Sequence, residues 1–385
     1  MQELRRRGYD GKLTLVGDES ELPYDRPPLS KGHLAADHTG DPIHLITEPA
    51  LADLEVELVL GRTAVRTDPS DHTVRLDDGT TLAWDRLVIA TGVRPRFFGA
   101  AGSDREGFLA LRTLADAHRL RAELDKRPRV AVLGGGFIGS EVAAAARRRD
   151  LSVTLIEMLP APMSAGLGTR VGELLGRLHI DHGALLRCNT TVAGVQGNGR
   201  VEQLVLGDGS VVDTDLVVVG IGAVPSTECL AGIGLDLTNG VLCGADLRVF
   251  GTDDIYAAGD VARWPHPLFG LIRVEHWTNA QEHAAVVAGA LLGENVVANA
   301  IPYVWSDQYE RRLQIIGRPQ AGHTVTVVED KTDGGLVAAY EHAGILTGVL
   351  VVDAPKLMLR ARKAIAAGSS AAAYLAEHVP DAVAV

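Results

Sequence analysis

Between Arg129 and Glu157 the chain reads strand, glycine turn, helix, strand and acid, and few folds satisfy that order. Val130, Ala131, Val132 and Leu133 form a short apolar strand that runs into Gly134-Gly135-Gly136-Phe137-Ile138-Gly139. An alanine-rich helix continues from Glu141 to Arg149, and a second strand over 152–156 ends at Glu157. The spacing of Gly134, Gly136 and Gly139 has a physical purpose. The first glycine makes the tight turn, the second admits a pyrophosphate, and the third lets helix and strand pack closely. Phe137 and Ile138 open the helix, whose unpaired N–H groups suit phosphate charge. Glu157 lies 18 positions after Gly139, where a carboxylate accepts a ribose 2′-OH and repels a 2′-phosphate, and no arginine follows it immediately. The unit predicts NADH binding. A ligand-free glycine turn is the bland alternative, and the full strand–turn–helix–strand–acid context argues against it.

A chain of 385 residues has room for two or three domains. Its 46% hydrophobic and 22% charged residues are ordinary for a globular enzyme, and its 43 glycines fall in short clusters rather than in a repeat. No apolar run approaches the roughly 20 residues that span a bilayer. The basic N-terminus has no apolar stretch behind it, unlike a signal peptide. Cys188, Cys229 and Cys243 are odd in number and far apart, offering neither a disulfide framework nor a Cys-x-x-Cys pair. These features predict a cytoplasmic protein with no membrane attachment. A net charge of −12 argues against nucleic acid as a partner.

Short buried strands are expected at 13–16, 87–90, 130–133, 153–156, 216–219 and 255–257, several followed by glycine turns and helical patterns. From about residue 301 the character changes to β-rich segments at 324–329, 336–340 and 345–352, with a helix at 355–367.

Four further segments carry chemistry. They are Glu21-Leu22-Pro23-Tyr24-Asp25-Arg26-Pro27-Pro28-Leu29-Ser30-Lys31; Leu87-Val88-Ile89-Ala90-Thr91-Gly92 with Arg94-Pro95-Arg96; Ile255-Tyr256-Ala257-Ala258-Gly259-Asp260; and Glu275-His276-Trp277-Thr278-Asn279-Ala280-Gln281. Singly, each has a structural reading as a rigid proline loop, a turn, or a capping box from Thr278 to Gln281. In this order they resemble the FAD- and NADH-dependent ferredoxin reductases. That family includes rubredoxin and putidaredoxin reductases and the reductase components of aromatic-ring dioxygenases. The resemblance covers nearly the whole chain, including Trp305-Ser306-Asp307-Gln308-Tyr309.

The resemblance implies an α/β fold with two Rossmann-like nucleotide-binding domains and a C-terminal α+β domain. The implied boundaries are 1–112 with 233–300 for FAD, 113–232 for NADH, and 301–385 for the C-terminal domain. Asp18 and Glu19 match the region that meets the FAD adenosine, and Ala64 the backbone contact to adenine. Ala90, Thr91 and Gly92 match the flavin-side turn, Arg112 an FAD contact, and Gly259 with Asp260 the turn that holds the ribityl chain. Trp277 and Thr278 match the helix start facing the flavin pyrimidine. Lys31 matches the lysine beside the flavin ring, and Glu141 the glutamate that pairs with it. Gly222-Ala223-Val224-Pro225 resembles the exit loop of the NADH domain, with Ser226 in place of the usual Asn.

One departure concerns FAD. The family begins with its own strand and Gly-x-Gly-x-x-Gly, whereas this sequence enters at Met1 within the following helix, about twenty residues further on. The expectation is an FAD domain incomplete at its N-terminus, through either a start assigned too late or a degenerate protein with weak FAD affinity.

On this resemblance, NADH passes hydride to flavin N5. The Lys31–Glu141 pair fixes the ring, and the helix at Thr278 aims its positive end at the reduced flavin; an ordinary surface salt bridge is the bland reading of that pair. Glutathione- and thioredoxin-reductase relatives pass electrons to a cysteine pair. Without one, the expected acceptor is a one-electron carrier, a [2Fe–2S] ferredoxin or rubredoxin-like protein feeding a cytochrome P450 or ring-hydroxylating oxygenase. Acidic carriers need a basic patch, for which Arg311, Arg312 and Arg318, or Arg360, Arg362 and Lys363, are candidates; solvated charges are the alternative. Rival readings are an NADH oxidase or CoA-disulfide reductase, which usually carry a reactive cysteine near the flavin, and a non-catalytic NADH-binding protein that has lost FAD.

Overall fold

Val130–Leu133, Val153–Ile156 and Leu216–Val219 are made almost wholly of Val, Leu, Ile and Ala because both faces of each strand are covered. They are the centre of a five-stranded parallel sheet in the order Leu185–Arg187, Val153–Ile156, Val130–Leu133, Leu216–Val219, Phe108–Ala110. Val130 sits opposite both Val153 and Leu216, so the glycine turn after Leu133 opens at the carboxyl edge of the sheet. The helices Leu114–Asp125, Phe137–Arg148 and Ser164–Asp181 are the chain's connections around it. Leu114–Asp125 is fixed by a capping box, in which Thr113 accepts from the Asp116 amide and Asp116 accepts from the Thr113 amide.

The structure, a computed structural model, describes residues 1–38, 41–329 and 335–379. The last stretch of the expected C-terminal domain, 380–385, lies outside the described residues. Two compact units emerge. One comprises Met1–Asp25, Pro42–Arg94 and Val224–Pro302; the other comprises Arg26–Asp41, Pro95–Ala223 and Tyr303–Val385. The second unit thus holds both the parallel sheet and an antiparallel one, ordered Tyr303–Gln308, Arg311–Gly317, Ile345–Val352, Leu336–His342, Thr324–Glu329. The physical reason is a shared core. Leu167, Val171 and Leu175 of the helix Ser164–Asp181 pack with Leu313, Val327, Ala338 and Leu350, and Tyr340 donates its hydroxyl to the Leu167 carbonyl at 2.8 Å. The expected helix at 355–367 is Lys356–Ala366, and a further helix, Ala371–His378, follows.

In the first unit, parallel strands form two pairs: Leu13–Gly17 with Val56–Leu60, and Leu87–Ile89 with Ile255–Ala257. Two three-stranded sheets accompany them, Ala64–Asp68, Thr73–Leu76, Thr81–Ala83 and Val241–Leu242, Ala262–His266, Gly270–Ile272. Its core gathers Ile89, Leu230, Val241, Tyr256, Trp264 and Val287. The helix Trp277–Leu291 corrects one expectation. Its N-cap is His276, without a side-chain cap bond, so Thr278 sits inside the first turn and no capping box forms from Thr278 to Gln281. No helix among the described residues is long and apolar enough to cross a membrane.

Candidate functional site

The glycine turn is built as its spacing requires. Gly134 has φ +95°, and a Cβ there would land on the Gly220 carbonyl oxygen. A Cβ on Gly139 would strike the Gly134 carbonyl, so that helix and turn touch only because neither residue has a side chain. Gly136 differs: a Cβ there would meet nothing within 4 Å. Its lack of a side chain leaves open space at the turn, room enough for a pyrophosphate. Gly136 is also the N-cap of Phe137–Arg148 and makes no side-chain cap bond. These residues fit a dinucleotide.

Glu157 is held by two amides, accepting from Gly135 N–H at 2.6 Å and from Leu159 N–H at 2.8 Å. Its carboxylate is therefore fixed beside the turn before any ribose arrives. A cavity of about 560 Å³ next to it is lined by Met158, Arg187, Cys188, Asn189 and Asp208 among others, within the size range of cofactor pockets. Cys188 faces this cavity, a placement that spacing could not reveal. Burial and the nearby Glu157 push its thiol up from the ordinary value, so it is no ready thiolate. Cys229 is likewise raised by burial, and Cys243 is pushed up to about 12.

Lys31 and Glu141 are brought together from positions far apart in sequence. The short 3₁₀ turn Pro27–Ser30, preset by two prolines, delivers Lys31; its Nζ donates to Glu141 Oε2 at 2.9 Å and to the Pro27 carbonyl at 3.2 Å. The Glu141 side chain is 2% exposed and that of Lys31 17%, so the surface-bridge reading does not describe the pair. Two hydroxyls complete the carboxylate's shell: Ser30 donates to Oε2 at 2.5 Å and Ser306 to Oε1 at 2.7 Å. Gln308 Nε2 in turn donates to Ser306 Oγ at 3.2 Å, and the Trp305 ring lies 6.0 Å from Lys31 Nζ. The family resemblance brought Trp305 to Gln308 into view but gave no reason to join Ser306 to Glu141. A serine in a strand of mixed polarity carries no such signal.

The residues expected to meet FAD fall mostly in the first unit. Asp18 and Glu19 follow the strand Leu13–Gly17, and Tyr24 donates its hydroxyl to Glu19 at 2.5 Å. Ala64 opens the strand Ala64–Asp68. The turn 90–92 follows Leu87–Ile89, with Gly92 at φ +67° and Thr91 Oγ1 donating to the Ser226 carbonyl at 2.5 Å. Gly259 and Asp260 follow Ile255–Ala257. Because these two strands pair in parallel, both turns leave the same carboxyl edge, where α/β sheets bind nucleotides. Trp277 and Thr278 occupy the first turn of a helix whose N-cap residue, His276, makes no side-chain cap bond. Lys31 and Arg112 are the exceptions. Both lie in the second unit, where the Arg112 amide donates to Asp116 and the Arg112 carbonyl accepts from Arg26. Gly222, φ +94°, also belongs to the second unit.

The two basic patches separate. Arg311 pairs with Asp353 at 2.8 Å and Arg312 with Asp307 at 2.7 Å, while burial lowers Arg318. The helix Lys356–Ala366 contains Lys356, Arg360, Arg362 and Lys363 with no acidic residue, and its Leu359 is 72% exposed.

Comparison with known proteins agrees with this geometry. The family model described as pyridine nucleotide-disulphide oxidoreductase matches residues 1–284, and that described as reductase C-terminal matches 303–381. Rhodocoxin reductase of Rhodococcus erythropolis is 37% identical over 366 residues, covering 94% of this chain and 85% of that protein. The ferredoxin–NAD(+) reductase component of the anthranilate 1,2-dioxygenase system of Burkholderia cepacia is 39% identical over 378 residues, covering 96% and 91%. Among solved structures, a ferredoxin reductase from Rhodopseudomonas palustris superposes with TM-score 0.91 at 32% identity, covering 96% of this chain and 91% of that one. A covalent putidaredoxin reductase–putidaredoxin complex gives TM-score 0.90 at 32% identity, covering 95% and 89%.

Proposed function

The chain belongs to the pyridine nucleotide-disulphide oxidoreductase family, with a reductase C-terminal domain, and from that premise we propose an NADH-dependent flavoprotein reductase that passes electrons through FAD to a [2Fe–2S] ferredoxin. That carrier serves a cytochrome P450 or ring-hydroxylating oxygenase, and the enzyme works in the cytoplasm. The observation that carries the reading is similarity along nearly the full length of both chains to reductase components of oxygenase systems. The buried, raised-pKa thiols favour a non-thiol acceptor over a disulfide.

The chain's own groups have definite tasks. Gly136 and the N-terminus of Phe137–Arg148 hold the NADH pyrophosphate, and Glu157, fixed by the Gly135 and Leu159 amides, takes the ribose hydroxyls. Asp18, Glu19, Ala64, the turn 90–92, Gly259, Asp260, Trp277 and Thr278 hold FAD. FAD, when bound, supplies the conversion between a two-electron donor and a one-electron acceptor. Lys31 presents a fixed cation whose counter-charge, Glu141, is itself fixed by Ser30 and Ser306. The helix Lys356–Ala366 offers the basic surface for an acidic carrier.

Purified protein should show flavin absorption bands that NADH bleaches, and should reduce a [2Fe–2S] ferredoxin at a rate that thiol alkylation leaves unchanged. A colourless protein that still binds NADH would refute the flavin reading. Inactivation by alkylation would move the function toward the disulfide-reducing relatives.

A further inference from the structure

The turn Gly259–Val261 carries Asp260, and it is held from behind. Gly259 has φ +73°, and its buried N–H donates to Nδ1 of His283 at 3.2 Å. His283 is 2% exposed and lies in the helix Trp277–Leu291. Its ring stands edge-on to Trp264, with centroids 4.3 Å apart and planes at 84°. Trp264 is itself fixed, its Nε1–H donating to the Ala298 carbonyl at 2.9 Å. An imidazole that accepts at Nδ1 must be neutral and carries its proton on Nε2. Burial supports that state, pushing His283 down to about 4. His283 Nε2 and the Asn279 amide nitrogen have no hydrogen-bond partner among the described residues, and both side chains line a cavity of about 40 Å³, room for one water molecule.

We propose that His283 is the positioning residue of the flavin-binding turn: by accepting the Gly259 amide it fixes the backbone that presents Asp260, and so sets the affinity for FAD. The inference rests on the reading of 259–260 as an FAD contact. A buried amide without an acceptor is costly, so loss of Nδ1 leaves Gly259 with reason to move. A glycine with positive φ has no side chain to resist that movement.

Two substitutions in the full chain separate acceptor from shape. His283→Asn keeps an acceptor oxygen at the position of Nδ1; His283→Leu keeps similar bulk without one. FAD binding, titrated by flavin fluorescence on apoprotein, should weaken about tenfold in the leucine variant, the order of one hydrogen bond lost from a buried amide. The asparagine variant should return to within about threefold of wild type. Hydrogen exchange at the Gly259 amide, followed without FAD, should be slow in wild type and asparagine and fast in leucine. NADH binding, measured on all three, should be unchanged and reports that the second unit is intact, and urea midpoints within about 1 M of wild type report folding of the first. Equal FAD affinity in the leucine and wild-type proteins, or an asparagine variant as weak as leucine, would overturn the proposal. Fast exchange at Gly259 in wild type would do the same. A wild-type protein that protects Gly259 yet takes up no FAD would instead refute the flavin assignment of the turn.

Discussion

Replacing Lys31 by Met tests whether the pair with Glu141 is an organised charge or incidental. Methionine keeps the aliphatic stem and removes the ammonium. Breaking a fully buried ion pair by deleting one partner costs about 3–5 kcal/mol. Two observations reduce that figure. The Lys31 side chain retains 17% exposure, and Glu141 keeps the Ser30 and Ser306 hydroxyls after the lysine is gone. A destabilisation of about 2–3 kcal/mol is therefore expected. The companion Glu141→Gln keeps the volume and one acceptor oxygen for one of the two serines while removing the charge, its amide nitrogen donating to the other hydroxyl. If the two charges answer each other, the double variant should be more stable than the sum of the singles by about 1–2 kcal/mol. Urea midpoints for the four proteins supply the cycle, and stopped-flow reduction of the flavin by NADH supplies its functional counterpart, with the same non-additivity expected in the rate. A cost below about 0.5 kcal/mol for Lys31→Met, the range of a surface bridge, with an unchanged rate, would refute the reasoning.

Three other expectations follow from the geometry. Glu157→Ala should raise KM for NADH about tenfold and narrow the preference over NADPH, since the fixed carboxylate both accepts the ribose hydroxyl and repels a 2′-phosphate; steady-state kinetics with both nucleotides would show it, and an unaltered NADH/NADPH ratio would remove Glu157 from that role. Reversing Arg360 and Lys363 to Glu should slow ferredoxin reduction about tenfold at low ionic strength and much less at high salt, with rates against salt concentration as the readout. Burial depresses His179, His276 and His283 to about 4, below the ordinary 6.5 of the unfolded chain. The unfolded state therefore takes up protons first, so stability is full above pH 6.5 and declines as the pH falls toward 4; a urea midpoint unchanged between pH 7.5 and pH 5 would contradict this.

What could be read from the sequence was set by how local each constraint is. Gly134 and Gly139 are dictated by backbone atoms a few residues away or on the adjoining strand, and their spacing alone carries that information. Glu157 ends the next strand in the same unit, so its place was equally legible. Lys31 and Glu141 became a pair only through the family resemblance, because nothing in either segment points to the other. The bonds of Ser30 and Ser306 to Glu141 escaped altogether: a hydroxyl has no periodicity, and Ser306 reaches Glu141 across 165 positions. The capping box failed for the opposite reason, a local pattern matched too readily. Thr278 and Gln281 have the right spacing, but the helix begins at Trp277, which moves Thr278 inside the first turn.

The basic patches show how charge read along a chain differs from charge presented to a partner. Arg311 and Arg312 are adjacent in sequence and look like a docking site for an acidic carrier. The antiparallel register sets Arg312 opposite Asp307, and Asp353, just beyond the neighbouring strand, accepts from both Arg311 and the Arg312 amide. Each guanidinium is thus answered within its own sheet, and the field it projects outward is largely cancelled. The helix Lys356–Ala366 has no such neighbours in its own sequence: four cations, no acid and an exposed Leu359 in a protein of net charge −12. An acidic carrier would be repelled by most of this surface and attracted there, so the overall negative charge sharpens the choice of site. Reversal of Arg311 and Arg312 should consequently change the salt dependence of ferredoxin reduction less than reversal of Arg360 and Lys363, and the opposite ranking would show that paired arginines still steer.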